Sequence, residues 1–141
     1  MAAWIQQGFR LDMALAVAFE VAILRMNRAD SQAERGAAIR FNHRLWRVAG
    51  QLAPTAPLAE DRNGLVDAAA TVHGLTQDDA AALNARFARV LAGRAATQGA
   101  LRQILADWRN ARTIAPEAEF GDWLVTRLEG FMAQQYSAWA A

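Results

Sequence analysis

The stretch LDMALAVAFEVAIL, residues 11–24, is apolar almost all the way round. Its large side chains fall at 11, 13, 15, 17, 19, 21 and 23, a period of two that taken alone reads as a strand. The positions between them, however, are mostly Ala rather than polar, and the run is too long for a typical strand. A helix with Ala where its neighbours approach closely explains both features. A helix that is apolar on every side belongs inside a bundle of others. The segment from about residue 4 to 27 is therefore expected to be a central helix. Asp12 and Glu20 interrupt the run, only Arg10 precedes it as a charge, and it is too short for a bilayer. It reads neither as a signal-peptide core nor as a span, and the expected compartment is the cytoplasm.

The composition agrees with helix. Ala dominates the 141 residues, Val, Ile and Thr are thin, and the three Pro stand at 54, 57 and 116. A chain of this length fits one domain with one core. The expectation is an all-α bundle of about five helices in a single domain spanning 1–141.

Local signals place the breaks. Ser31 followed by Glu34 is a capping box, so the second helix should begin near Gln32 and run to about Ala53, where "APTAP" stops it. A break is expected at Asn63-Gly64, then a helix over about 65–73 ending on Gly74 as a left-handed cap. Thr76 with Asp79 opens the next helix, which is expected to continue to about Arg112 with a bend near Gly93 or Gly99. Pro116, Glu117 and Glu119 suit the start of the last helix, which carries Phe120, Trp123, Leu124, Leu128, Phe131 and Met132 at helical spacing.

The chemistry available to the chain is narrow. All 15 cations are Arg, which excludes a P-loop or Schiff-base Lys, and the absence of Cys excludes thiolate catalysis and Cys-ligated zinc. The two His stand thirty residues apart, the two Ser lie at 31 and 137, and neither H-E-x-x-H nor E-x-x-H occurs. Acidic pairs at Glu60-Asp61 and Asp78-Asp79 sit where helix starts are expected, and His73 sits near a helix end; the helix dipole accounts for all of them. No catalytic residue, cofactor or metal site is expected. A net charge of +1 offers no general field for nucleic acid or acidic membranes.

The densest stretch is AAIRFNHRLW, residues 37–46. Wound as a helix at ~100° per residue, it places Phe41, Leu45, Val48 and Leu52 in one narrow arc, with Trp46 and Ile39 extending it on one side. Arg40, Arg44 and Arg47 gather opposite, and His43 lies at the boundary. Asn42 projects between Leu45 and Trp46, into the apolar arc. A buried carboxamide needs partners, so Asn42 is expected to bond the backbone of a neighbouring loop and fix a helix crossing, or else to contact a bound partner. The Arg stripe is read first as a solvated face, with phosphate or an acidic protein as the alternatives. Trp46 is read as core before interface.

AAIRFNHRLWRVAGQL resembles the central motif of FlaF, a flagellar biosynthesis regulator family of α-proteobacteria. That motif runs roughly A-L-x-x-N-R-R-L-W, and Ala38, Ile39, Asn42, Arg44, Leu45 and Trp46 stand in its places. The family then carries N-x-L-P-x-x-L-R-x-x-I; here Asn63, Gly64 and Leu65 follow 21 residues after Asn42, ahead of VDAAATVHGL. AFEVAILRMNRADSQAER is similar to the family's first helix. His43 stands where the family usually has Arg, Val66 stands where it has Pro, and nothing after about residue 76 aligns. The resemblance covers about residues 17–75.

It implies a non-enzymatic helical protein that supports flagellin synthesis or export by binding flagellin, whose terminal helices are amphipathic and need shielding before assembly. The partner would be flagellin or another amphipathic helix. Candidate contact residues are Asn42, Arg44, Leu45, Trp46, Asn63 and Leu65, with Trp123 and Phe131 on the last helix, which would either form or cover the groove. Two alternatives stand beside it. One is a nucleic-acid-binding regulator using the Arg40/Arg44/Arg47 face; the other is a structural or phage-type assembly protein.

Overall fold

The computed structural model describes residues 8–55, 58, 61–95 and 117–140. Five α-helices make up the described chain: α1 Gly8–Arg28, α2 Gln32–Leu52, α3 Arg62–Thr71, α4 Gln77–Ala95 and α5 Glu117–Ala140. A 3₁₀ turn, Val72–Gly74, follows α3. No strand occurs among the described residues, and the protein is an all-α bundle. No described helix is long and apolar enough to cross a membrane.

The apolar segment occupies the centre. Helix α1 packs most extensively on α4 and also touches α2 and α5, while α2 carries α3 and α5 on its own flanks. Leu11, Ala14, Leu15, Ala18, Phe19 and Ala22 are fully buried, which takes in both the odd and the even positions of the segment. The period of two was thus a run of large and small residues on a helix enclosed by neighbours. Asp12 is also drawn into the interior, whereas Glu20 stays exposed.

The caps fall where the sequence marks them. The Ser31 hydroxyl accepts the Glu34 amide at 3.1 Å, and the Glu34 carboxylate reaches back to the Asp30 amide at 3.0 Å. Thr76 accepts the Asp79 amide at 3.1 Å and opens α4. The first side chain of α4 also closes the end of α1, because Gln77 Nε2 donates to the Met26 carbonyl at 2.8 Å, one of the terminal carbonyls a helix leaves unpaired.

Two expectations about the middle of the chain fail. There is no break at Asn63-Gly64, because α3 begins at Arg62 and runs through both residues. Gly74 is not a left-handed cap either. Helix α3 tightens into the 3₁₀ turn, Gly74 has no positive φ, and the chain leaves through Leu75 in extended conformation. The expected continuation of α4 to about Arg112, with its bend near Gly93 or Gly99, falls mostly outside the described residues.

Two glycines permit the closest helix approaches. A Cβ on Gly121 of α5 would stand 2.8 Å from Val21 Cγ1 and 3.0 Å from Phe41 Cζ. A Cβ on Gly50 would stand 2.9 Å from Ala69 Cβ, where α3 lies on α2. Above Gly121, α5 lays Leu124, Val125, Leu128 and Phe131 onto α1 and α2, so the last helix covers that face.

Candidate interaction site

Helix α2 holds the stretch 37–46, and its three flanks meet three different surroundings. The inner flank carries Phe41, Asn42, Leu45 and Trp46, all buried. Trp46 is at the centre of an aromatic group drawn from three helices. Its ring lies 4.7 Å from that of Phe19 on α1 and 5.5 Å edge-on from that of Phe87 on α4.

Asn42 finds its partner on another helix and not on a loop backbone. Asn84 of α4, fully buried, donates from Nδ2 to Asn42 Oδ1 at 2.6 Å, and its own Oδ1 accepts Trp46 Nε1 at 2.7 Å. The orientation of this chain is forced. An indole N–H can only donate, so Asn84 must turn its oxygen to Trp46 and its amide group to Asn42. The three polar groups join α2 to α4 across the core, a helix crossing fixed as the sequence led one to expect, but through side chains. Asn84 was missed in the sequence, although it stands within the apolar row Ala80, Asn84, Phe87, Ala88 and Leu91 of its helix. A polar residue inside such a row is the same signal that drew attention to Asn42.

The second flank faces α5. Arg44 Nε donates to Glu129 Oε2 at 3.1 Å, and its Nη2 donates to Glu129 Oε1 at 2.6 Å and to Thr126 Oγ1 at 3.0 Å. Asp122, one turn before Thr126, lies 3.9 Å from Arg44 Nη1 and 3.4 Å from Arg25 Nη1. Arg25 in turn covers the ring of Phe41 at 4.5 Å. Helix α5 is thus fastened to α1 and α2 along one polar edge. The Arg40/Arg44/Arg47 face is thereby corrected: Arg40 and Arg47 are exposed, but Arg44 is spent on an acidic residue of the same chain.

Arg44→Gln keeps most of the stem and removes the paired charge. With both partners about a third exposed, the loss is expected at about 0.5–1.5 kcal/mol. Arg47→Gln should change stability by less than about 0.5 kcal/mol, as surface substitutions usually do. Urea unfolding midpoints for the two variants check the contrast.

The third flank carries His43. Its ring meets that of His73, from the 3₁₀ turn, at 4.2 Å between centroids with 57° between the planes. Burial, and then the neighbouring His73, push the His43 pKa below its ordinary 6.5. Helix-end placement alone, the sequence reading of His73, overlooks this contact.

The direction of the shift sets a pH dependence. A lowered folded pKa means that the unfolded chain binds the proton more readily, so stability is full above about pH 6.5 and falls as the pH drops below it. Arg40, Arg44 and Arg47 on the same helix add no compensating negative charge. The stability difference between the wild type and His43→Phe should therefore shift in favour of the variant between pH 7.5 and 5.5, read from urea midpoints at each pH.

The remaining candidates divide. Leu65 is buried on α3 and Phe131 nearly so on α5, while Asn63 is exposed and Trp123 is half-buried beneath Arg127, whose guanidinium lies 5.5 Å from its ring. Asn42, Leu45, Trp46, Leu65 and Phe131 belong to the interior; Arg44, Asn63 and Trp123 remain at the surface. Among the described residues, no three His, Asp or Glu side chains gather as a metal site. No family model matches the chain. No curated protein and no solved structure matches it either.

Proposed function

We propose that the protein is a non-enzymatic, cytoplasmic helical module that supports flagellin synthesis or export by binding flagellin. The reading rests on the resemblance of residues 17–75 to the FlaF motif. The observation that carries it furthest is the way α5 lies on α1 and α2. An amphipathic helix places Leu124, Val125, Leu128 and Phe131 on an apolar face and pins its polar edge through Asp122, Thr126 and Glu129. A flagellin terminal helix presents the same kind of ligand, an apolar stripe beside polar residues, and this bundle already accommodates one such helix by packing. Buried Asn42, Leu45 and Trp46 then serve as the frame, Arg44 holds α5 in place through Glu129, and exposed Asn63 and half-buried Trp123 are the accessible candidates.

The nucleic-acid alternative is weakened by Arg44, whose pairing with Glu129 leaves Arg40 and Arg47 as the exposed members of that stripe. The deciding experiment is co-purification of the full chain with flagellin of the same organism at low and moderate salt. A complex with little salt dependence supports the reading. Absence of a complex in mild salt overturns it, and steep salt-dependent retention of nucleic acid would favour the regulator. Self-association without any client would favour an assembly protein.

A further inference from the structure

The two imidazoles of this chain, thirty residues apart in sequence, are brought into ring contact by the fold. Chance packing of two surface His would need no explanation if others were scattered elsewhere, but these are the only two the protein has. His43 is partly buried on α2 and His73 is exposed on the 3₁₀ turn that links α3 to α4, so the pair opens to solvent on one side. We propose that His43 and His73 form a two-imidazole site for a borderline divalent transition-metal ion of the Cu²⁺, Ni²⁺ or Zn²⁺ class.

The geometry suits this. An ion binds imidazole nitrogen at about 2.0–2.1 Å, which places the centroids of two rings sharing one ion about 4.5 Å apart at a right-angled pair of positions and about 5 Å apart at a tetrahedral pair, against the 4.2 Å observed. Rotation of the two side chains, one of them exposed, must widen that separation and turn one nitrogen of each ring toward the ion. The chemistry suits it as well, because a metal takes the neutral imidazole. Imidazole ligands select Cu²⁺, Ni²⁺ and Zn²⁺ over Mg²⁺ or Ca²⁺. With two protein ligands, water completes the coordination sphere. Arg40 and Arg47, a turn before and a turn after His43, oppose the added charge, but both are exposed. Arg44 is engaged by Glu129 on another flank.

A bound ion would clamp α2 to the connection between α3 and α4, independently of any flagellin binding. The site escapes motif searches because its ligands come from two elements with no fixed spacing.

The test is titration of the full chain with CuCl₂, NiCl₂ and ZnCl₂ at pH 7.5, followed by calorimetry. One ion per chain is expected, with Cu²⁺ binding more tightly than Ni²⁺. His73→Phe preserves the ring contact but cannot ligate, and His43→Phe does the same from the other side. Each should weaken binding about tenfold or more while leaving the circular dichroism unchanged. In the wild type, which needs no variant to fold, substoichiometric Cu²⁺ should broaden the ring-proton resonances of both His together. Unchanged affinity in both Phe variants, or His resonances unaffected by Cu²⁺, overturns the proposal in favour of a simple ring contact.

Discussion

Trp46→Ala is expected to destabilise the protein by about 3–5 kcal/mol, the range for removing a large aromatic from a packed core. Trp46 is fully buried and touches rings from two other helices, so the space it leaves is bounded by Phe19 and Phe87 and cannot collapse without moving α1 or α4. Its Nε1 also satisfies Asn84 Oδ1, and the Ala variant strands that acceptor. Against a typical total of about 5–15 kcal/mol for a domain, such a loss leaves a population of unfolded chain that is visible at modest urea. Trp46→Phe separates the two parts: it keeps most of the ring volume and loses the hydrogen bond, and should cost about 1–3 kcal/mol, the penalty for a stranded buried acceptor. The measurement is a pair of urea titrations followed by circular dichroism. A Trp46→Ala cost under 1 kcal/mol would contradict the packing described. The consequence for testing the proposed function is direct. Loss of client binding in a Trp46 variant says nothing about contact with the client until the variant has been shown to fold.

The sequence made the helical frame readable because its signals were local. Ser31 with Glu34 and Thr76 with Asp79 are hydrogen bonds within one turn, and both form as the spacing implies. The apolar girth of residues 11–24 required a central position, and α1 has it. What stayed hidden depended on which helices meet. Asn42 announced a buried amide, but nothing within α2 identifies Asn84, 42 positions away, as its partner.

Arg44 shows the same limit from the surface side. Among the three Arg it projects nearest Val48, at the border of the apolar arc, and a residue there meets solvent or a neighbouring helix depending on whether one is present. Here α5 is present, with Glu129 in reach. The His43–His73 contact requires the placement of α3 against α2, which the close Gly50–Ala69 approach sets. The misread middle of the chain has a simpler cause. Asn63-Gly64 and Gly74 are turn-forming residues, but a helix tolerates the first pair in its opening turn, and a 3₁₀ turn ends α3 without a positive φ.

Asn84→Leu carries the second large expected effect. Asn84 satisfies two buried groups at once, so its replacement leaves the Trp46 indole N–H and the Asn42 carbonyl oxygen without their partner. At about 1–3 kcal/mol for each stranded group, the single variant should lose about 2–4 kcal/mol despite its added apolar surface. Removing a whole polar network is a different operation from removing one member, because no unpaired atom remains. The triple variant Asn42→Leu, Asn84→Leu, Trp46→Phe is therefore expected to be more stable than Asn84→Leu alone, although it carries two further substitutions. Strong non-additivity of this kind requires that the three residues act as one unit. If the triple variant instead loses the sum of its single losses, the polar chain is not a coupled network. Proton spectra of the triple variant then decide what the network contributes. Recovered stability with broadened methyl resonances would mean that Asn42, Asn84 and Trp46 select one pairing of α2 with α4 among several that an apolar interface would allow.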